Sequence, residues 1–174
     1  IYYLAVAPNL VQIIIYNLKM FKMAENQASW QRLMFEKPFG SSLSAAKELN
    51  KYIVDTFTED KIFRIDHYLG KEMVQNIAAI RFSNSIFESL WNHKYIDNIQ
   101  ITSFESIGVE ARGKYYENAG ILRDILQNHI LQMLALICME PPVNLTSQAI
   151  RDEKVKILKT LRFYTEDSIK SNII

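Results

Sequence analysis

"IYYLAVAPNLVQIIIYNLKMFKMA" (residues 1–24), followed by "WQRLMFEKPFG" (residues 30–40), carries the pattern on which the fold turns. A short apolar run is stopped by Pro8. The residues after it have the apolar density of a helix, with Asn9 as a suitable N-cap, and the second segment returns to strand composition and stops at Pro38. Strand, helix, strand predicts a right-handed crossover between parallel strands, with ligands beyond the carboxyl ends of those strands. Those ends are Pro8 and the "EKPFG" loop (36–40). Pro38 pushes Lys37 into extended geometry and Gly40 permits a sharp turn, which aims Lys37 over the sheet edge. A solvated lysine in a turn is the plainer alternative, and this loop alone does not separate the two.

Working outward, "SLSAAKELNKYIVDTF" (42–57) reads as a helix capped by Ser41, Ser42 or Ser44. A second unit follows, with "KIFRID" (61–66) as a strand, "HYLGKEMVQNIAAIRF" (67–82) as a helix and "SIFESLWN" (85–92) as a short helix. "NIQITSFES" (98–106) alternates like a strand, and "IGVEARGKYYENAG" (107–120) reads as a glycine-bearing loop. One long helix is expected from about Ile121 to Met139, ended by Pro141 and Pro142, and "SQAIRDEKVKILKTL" (147–161) is a final amphipathic helix. The last ten residues, "TEDSIKSNII", are too short to assign. Because the chain opens inside an apolar strand pattern, with neither an initiator Met nor a charged signal flank, a fragment is expected.

With 174 residues and 49% hydrophobic content, the chain can bury a real core as one domain or as a piece of a larger one. The net charge of +1 comes from 20 basic and 19 acidic residues interspersed along the chain, so neither a nucleic-acid nor a membrane partner is implied. Its longest apolar stretch, "ILQMLALICM" (130–139), falls short of the ~18 residues of a membrane span, and the chain reads as soluble. Cys138 is the sole cysteine, in keeping with a reducing compartment, and in its leucine-rich helix it reads as an inert buried thiol.

The glycines are Gly40, Gly70, Gly108, Gly113 and Gly120, so no G-x-G-x-x-G turn exists and the main site of any bound dinucleotide would lie elsewhere. His67, His93 and His129 have no metal-ligand spacing, so no metal is expected, and there is no G-x-S-x-G elbow.

Chemistry concentrates in "RIDHYLGKEM" (64–73), where Asp66, His67, Tyr68 and Lys71 crowd a strand-to-helix junction. On a helix starting near His67, His67 and Lys71 share a face, and the first-turn N–H groups add to the same positive potential. Such a site suits an anion, and with the Tyr68 hydroxyl as a further donor a phosphate on a small molecule is the natural guest. Alternatively Asp66 only caps the helix while the two cations are solvated. His129 is similarly poised between readings. Ile125, Leu126 and Met133 are its one-turn neighbours, which taken alone favours a packed core histidine, yet Asp124, Gln127 and Asn128 are unusually polar for such a helix.

"RIDHYLGKEMVQN" (64–76) resembles the active-site signature of the glucose-6-phosphate dehydrogenase family. "YLAVAP" (3–8), "EKPFG" (36–40), "GILRDILQNHILQML" (120–134) and "RDEKVKIL" (151–158) are similar to further stretches of that family, in the same order and over nearly the whole chain. Two differences stand out: Ala7 where a second proline is usual, and a short insertion between Asn9 and Trp30.

The resemblance implies an α/β fragment. Residues 1–66 would be the end of a Rossmann-like NADP-binding domain with a parallel sheet, and residues 67–174 the helix-rich start of an α+β domain with an incomplete antiparallel sheet. It further implies oxidation of glucose 6-phosphate to the lactone with hydride transfer to NADP, the first step of the pentose phosphate pathway, by a cytoplasmic homodimer or tetramer. His129 would be the general base, oriented by Asp66. His67, Tyr68 and Lys71 would hold the sugar phosphate, and Glu105 and Asp124 would accept sugar hydroxyls. Lys37 would lie between sugar and nicotinamide, with Pro38 beside it as a cis proline on the cofactor side. The competing expectation is a noncatalytic module that binds sugar phosphate or a partner.

Overall fold

Strand, helix and strand are realised at the start of the chain in the computed structural model, which describes residues 1–24, 29–104, 106, 108–162 and 164–172. β1 (Tyr2–Leu4) runs parallel to β2 (Leu33–Glu36), and β2 runs parallel to β3 (Ile62–Ile65), in the order β1-β2-β3. The register sets Tyr3 beside Met34 and Phe35 beside Arg64. The two crossovers carry α1 (Pro8–Met20) and α2 (Leu43–Val54). Pro8 opens α1, where its missing N–H would have had no partner, so the cap is Ala7 and not Asn9. Of the three candidate serines, Ser42 caps α2, accepting from the Ala45 N–H at 3.2 Å.

Burial explains why these elements hold together. Val11, Ile15 and Leu18 recur at helical spacing on α1 and join Leu4, Leu33, Phe35 and Ile62 of the sheet, with Ile53 and Phe57, in one apolar cluster. Each such side chain contributes about 1.5–3 kcal/mol. Leu33 and Phe35 are buried while Met34 between them is not, the alternation of a sheet with one face packed.

The chain divides into two compact units, Ile1–Gly70 with Ser103–His129, and Lys71–Thr102 with Ile130–Ile174. The first contains the sheet, a tight turn over His67–Gly70 and α5 (Gly113–Ile121). In the second, α3 (Glu72–Phe82) packs on α4 (Ser85–Leu90) and α6 (Leu131–Cys138), and α6 packs on α7 (Ser147–Thr160). Arg81 donates to the carbonyls of Leu136 and Met139 at 2.6 and 2.7 Å, and Trp91 Nε1 donates to that of Ile137 at 2.8 Å. The open carbonyls at the end of α6 are thereby satisfied. The last element, α8 (Glu166–Asn172), lies in the terminal stretch that is too short to assign from its sequence.

Four further sequence expectations are corrected. The helix expected from His67 starts at Glu72. The Tyr68 N–H bonds the Asp66 side chain and the Leu69 N–H the Asp66 carbonyl, closing a turn first, and Lys71 is an extended N-cap. His67 and Lys71 therefore do not share a helix face. Residues 107–120 are not all loop, because α5 starts at Gly113 and is interrupted only at Gly120, whose φ of 70 makes a kink near its end. The long helix after it is not uniformly α: Leu122–Ile130 is π-helical, preceded by Gly120 at φ 70. Finally, the alternation at 98–106 produces no strand among the described residues, since a strand exists only through a ladder and no described segment pairs with it.

Gly40 yields a prediction. At φ 77 it sits in the left-handed region, and an added Cβ would come within 2.6 Å of the Ala46 nitrogen and 2.8 Å of its Cα, both backbone atoms of α2. Gly40→Ala should therefore destabilise the fold by about 2 kcal/mol or more, measured by denaturant unfolding. An unchanged midpoint would show that the 37–41 loop does not need this close approach.

Candidate active site

Lys37 leaves the end of β2 in the loop that Pro38 and Gly40 shape, and the Lys37–Pro38 peptide is cis. Its Nζ donates to the Asp124 carbonyl at 3.0 Å, to Asp124 Oδ1 at 2.7 Å and to His129 Nε2 at 2.6 Å. An ammonium has three protons and no acceptor, so Nε2 of His129 must be the accepting nitrogen. On the other side of the ring, His129 Nδ1 lies 2.6 Å from Asp66 Oδ1 and carries the proton. The hydrogen-bond network thus assigns a neutral imidazole with its lone pair on Nε2.

The π-helical segment makes this convergence possible. Asp124 and His129 are five residues apart, which on an α-helix would separate them by about 140° around the axis. The wider i→i+5 winding stacks them on one side, where a single lysine reaches both.

Asp66 serves two ends with one oxygen, since Oδ1 also accepts the Tyr68 N–H at 3.0 Å. Asp66 therefore closes the turn after β3 instead of capping α3, and the same oxygen meets the His129 ring. The Tyr68 ring stacks on His129 with centroids 3.9 Å apart and an interplanar angle of 11°, while His67 meets the His129 ring edge-on at 4.7 Å. Tyr68 is buried and its hydroxyl lies 3.3 Å from Ser103 Oγ. His67 is exposed, as is Lys71 at the start of α3, and Glu105 lies outside the described residues.

His129 is fully buried and Asp124 is 5% exposed. Burial pushes the His129 pKa down, Lys37 adds to that, and Asp66 opposes it without reversing it. Burial alone would raise Asp124, yet hydrogen bonds from Lys37, Tyr115 and Tyr116 hold its carboxyl below its ordinary value. The tyrosines were missed at the sequence level because they fall between two glycines in a segment read as loop. Their adjacency was the only available signal.

Beyond the carboxyl ends of β1 and β2 lies a cavity of about 610 Å³, lined by Pro8, Asn9, Pro38, Phe39, Gly40 and Gln127 among others. It lies where an open parallel sheet binds ligands. Among the described residues no helix is long and apolar enough to cross a membrane, and no cluster of side chains could hold a metal ion.

Comparison with known proteins agrees along the chain. The family model described as glucose-6-phosphate dehydrogenase, NAD binding domain, matches residues 1–76, and that described as glucose-6-phosphate dehydrogenase, C-terminal domain, matches residues 78–174. A glucose-6-phosphate 1-dehydrogenase of Bacillus subtilis is 55% identical over 97% of this chain and 34% of its own length. One of Borreliella burgdorferi is 49% identical over 100% of this chain and 36% of its own. A solved glucose-6-phosphate dehydrogenase in complex with its substrate glucose-6-phosphate superposes with a TM-score of 0.83 at 43% identity, covering 95% of this chain and 34% of that one. The glucose-6-phosphate 1-dehydrogenase of Mycobacterium avium gives the same TM-score at 38% identity, covering 95% of this chain and 36% of that one. The chain spans about a third of the length of the curated relatives it matches.

Proposed function

The chain belongs to the glucose-6-phosphate dehydrogenase family, and we propose that, within a protein of its relatives' length, it supplies the site that oxidises glucose 6-phosphate to the lactone with NADP. One observation carries this reading: a buried, neutral imidazole, His129, has its protonated Nδ1 on Asp66 and its basic Nε2 directed at the cation Lys37. That arrangement suits a general base that takes a hydroxyl proton. With substrate bound, the C1 hydroxyl replaces Lys37 at Nε2 and gives its proton to His129, and Asp66 stabilises the imidazolium that results. Displaced from the ring, Lys37 keeps its Asp124 contacts and stays positioned to hold the sugar.

Pro38 and Lys37 would hold the nicotinamide end of NADP, which would supply the hydride acceptor for C1. The cavity beyond β1 and β2 has room for its nicotinamide end, with Pro38, the chain neighbour of Lys37, and Asn128, the chain neighbour of His129, in its lining. The five glycines form no pyrophosphate-binding turn, so residues of this chain would hold that end alone.

His67, Tyr68 and Lys71 take the sugar phosphate in this reading, through two exposed basic side chains and a hydroxyl shared with Ser103. Glu105 and Asp124 take sugar hydroxyls. The division of the chain at 66/67, a homodimeric or tetrameric assembly and a cytoplasmic location belong to the same proposal.

The phosphate assignment is tested by Lys71→Ala in a full-length enzyme carrying this sequence. Catalytic efficiency on glucose 6-phosphate should fall by roughly 10- to 100-fold, since a charge-assisted contact contributes about 1.5–3 kcal/mol, while activity on free glucose changes little. Equal losses on the two sugars would reject the assignment.

A further inference from the structure

Tyr115 and Tyr116 are consecutive residues of α5, with rings edge to face at 5.6 Å, and both hydroxyls reach the same buried carboxylate. Tyr115 donates to Asp124 Oδ1 at 2.9 Å and Tyr116 to Oδ2 at 3.0 Å, while Lys37 donates to Oδ1 at 2.7 Å. A carboxylate offers about four lone-pair sites, two on each oxygen. Oδ1 is therefore filled. Among the described residues Tyr116 is the sole donor to Oδ2, which keeps one accepting position.

We propose that Tyr115 and Tyr116 are positioning residues that clamp the Asp124 carboxylate, committing Oδ1 to Lys37 and presenting Oδ2 as the single acceptor for a sugar hydroxyl. The clamp rests on the reading of Asp124 as a substrate acceptor given above. Without it, the carboxyl group can turn about its Cβ–Cγ bond and offer both oxygens to Lys37, and the sugar then has no fixed partner. A phenol suits the task because its single proton goes to the carboxylate and its rigid ring fixes where that proton lies. Burial, reinforced by the bond to Asp124, pushes the Tyr115 hydroxyl up to about 12, so it remains a donor at any working pH. Among the described residues, the charged or titratable groups around this cluster include Lys37, which also bridges to His129, Arg112, whose guanidinium lies 5.7 Å over the Tyr116 ring, and Glu48 and Arg123, which line the same cavity as Tyr115.

The test is steady-state kinetics on the full-length enzyme with Tyr115→Phe and Tyr116→Phe, each alone and in an Asp124→Asn background. Each Phe variant should raise KM for glucose 6-phosphate about tenfold with kcat within threefold, because a bond present in both ground and transition states is lost. Below the acid limb that His129 sets, a second decline in kcat/KM should begin at higher pH in the Phe variants, because Asp124 becomes easier to protonate. In the Asp124→Asn background the same substitutions should change KM by less than twofold, since the tyrosines act through that carboxylate. KM within twofold of wild type in both single variants overturns the clamp, as does an undiminished effect in the Asp124→Asn background. Circular dichroism accompanies each variant. Misfolding of both would assign the hydroxyls to stability and reject the proposal, while one folded variant suffices to decide it. A wild-type enzyme that fails to oxidise glucose 6-phosphate is a different result, overturning the functional reading itself and the clamp with it.

Discussion

His129→Asn, in a full-length enzyme carrying this sequence, should lower kcat by at least about 10² while KM stays within a few-fold. Asparagine can keep a hydrogen bond toward Asp66, but it has no basic nitrogen to replace Nε2. The loss therefore falls on the step in which the hydroxyl proton moves and not on sugar binding. Asp66→Asn should lose less in the same direction, because the imidazole remains but its Nδ1 proton is no longer held by a carboxylate 2.6 Å away. The pH dependence has a definite sign. Burial depresses the His129 pKa below its ordinary 6.5, so the base form persists into mildly acid solution and the acid limb of the wild-type rate should lie below that value. By the same linkage, His129 contributes stability that is fully present above 6.5 and is lost as pH falls through the depressed folded value. His129→Asn should flatten that part of the stability curve. A folded variant retaining more than about a tenth of wild-type kcat would return His129 to the role of a packed core residue.

Lys37→Met should have a comparable effect, spread over both stability and catalysis. Lys37 is 20% exposed and its partner Asp124 only 5%, so deleting the lysine leaves a buried carboxylate with two phenol donors and no counter-charge. Removal of one partner of such a pair costs about 3–5 kcal/mol, and the remaining tyrosine bonds put the expected loss near the lower end. Because Lys37 helps hold the Asp124 pKa down, that stabilisation is present at neutral pH and is lost as pH falls through the depressed folded value. The gap in unfolding free energy between wild type and Lys37→Met should thus be widest near neutrality and narrow toward acid. Catalytic efficiency should fall at least about 10², since about 3 kcal/mol of positioning corresponds to that factor. Equal unfolding midpoints at neutral pH would show that the 2.7 Å pair does not carry the structure of the site.

How much of this was legible in the sequence depends on how local each cause is. The β1–α1–β2 unit could be read because an apolar run, a helical stripe and two prolines are all local signals. The direction of Lys37 followed from Pro38 beside it, but not its destination, since Asp124 lies 87 residues further along. Within "RIDHYLGKEM" the composition pointed to a site, whereas the helix phase did not follow from it, because the Asp66 side chain closes a turn first. The π-helical winding at Leu122–Ile130 leaves no mark on periodicity, as the same apolar positions suit an α-helix. It becomes intelligible only once Asp124 and His129 are seen to share Lys37. The tyrosine pair was hidden by its flanking glycines, which are ordinary turn signals and here stand at helix ends. Alternation at 98–106 misled for the opposite reason, since a strand needs a partner that the pattern of one segment cannot supply.

The most direct measurement mixes the full-length enzyme carrying this sequence with glucose 6-phosphate and NADP and follows NADPH, wild type beside His129→Asn. One NADPH per sugar phosphate consumed, at a rate at least about 10² lower in the variant, is the expected result. Binding of glucose 6-phosphate with no reduction of NADP, or equal rates in the two proteins, would contradict a proton-abstracting His129 in a dehydrogenase site.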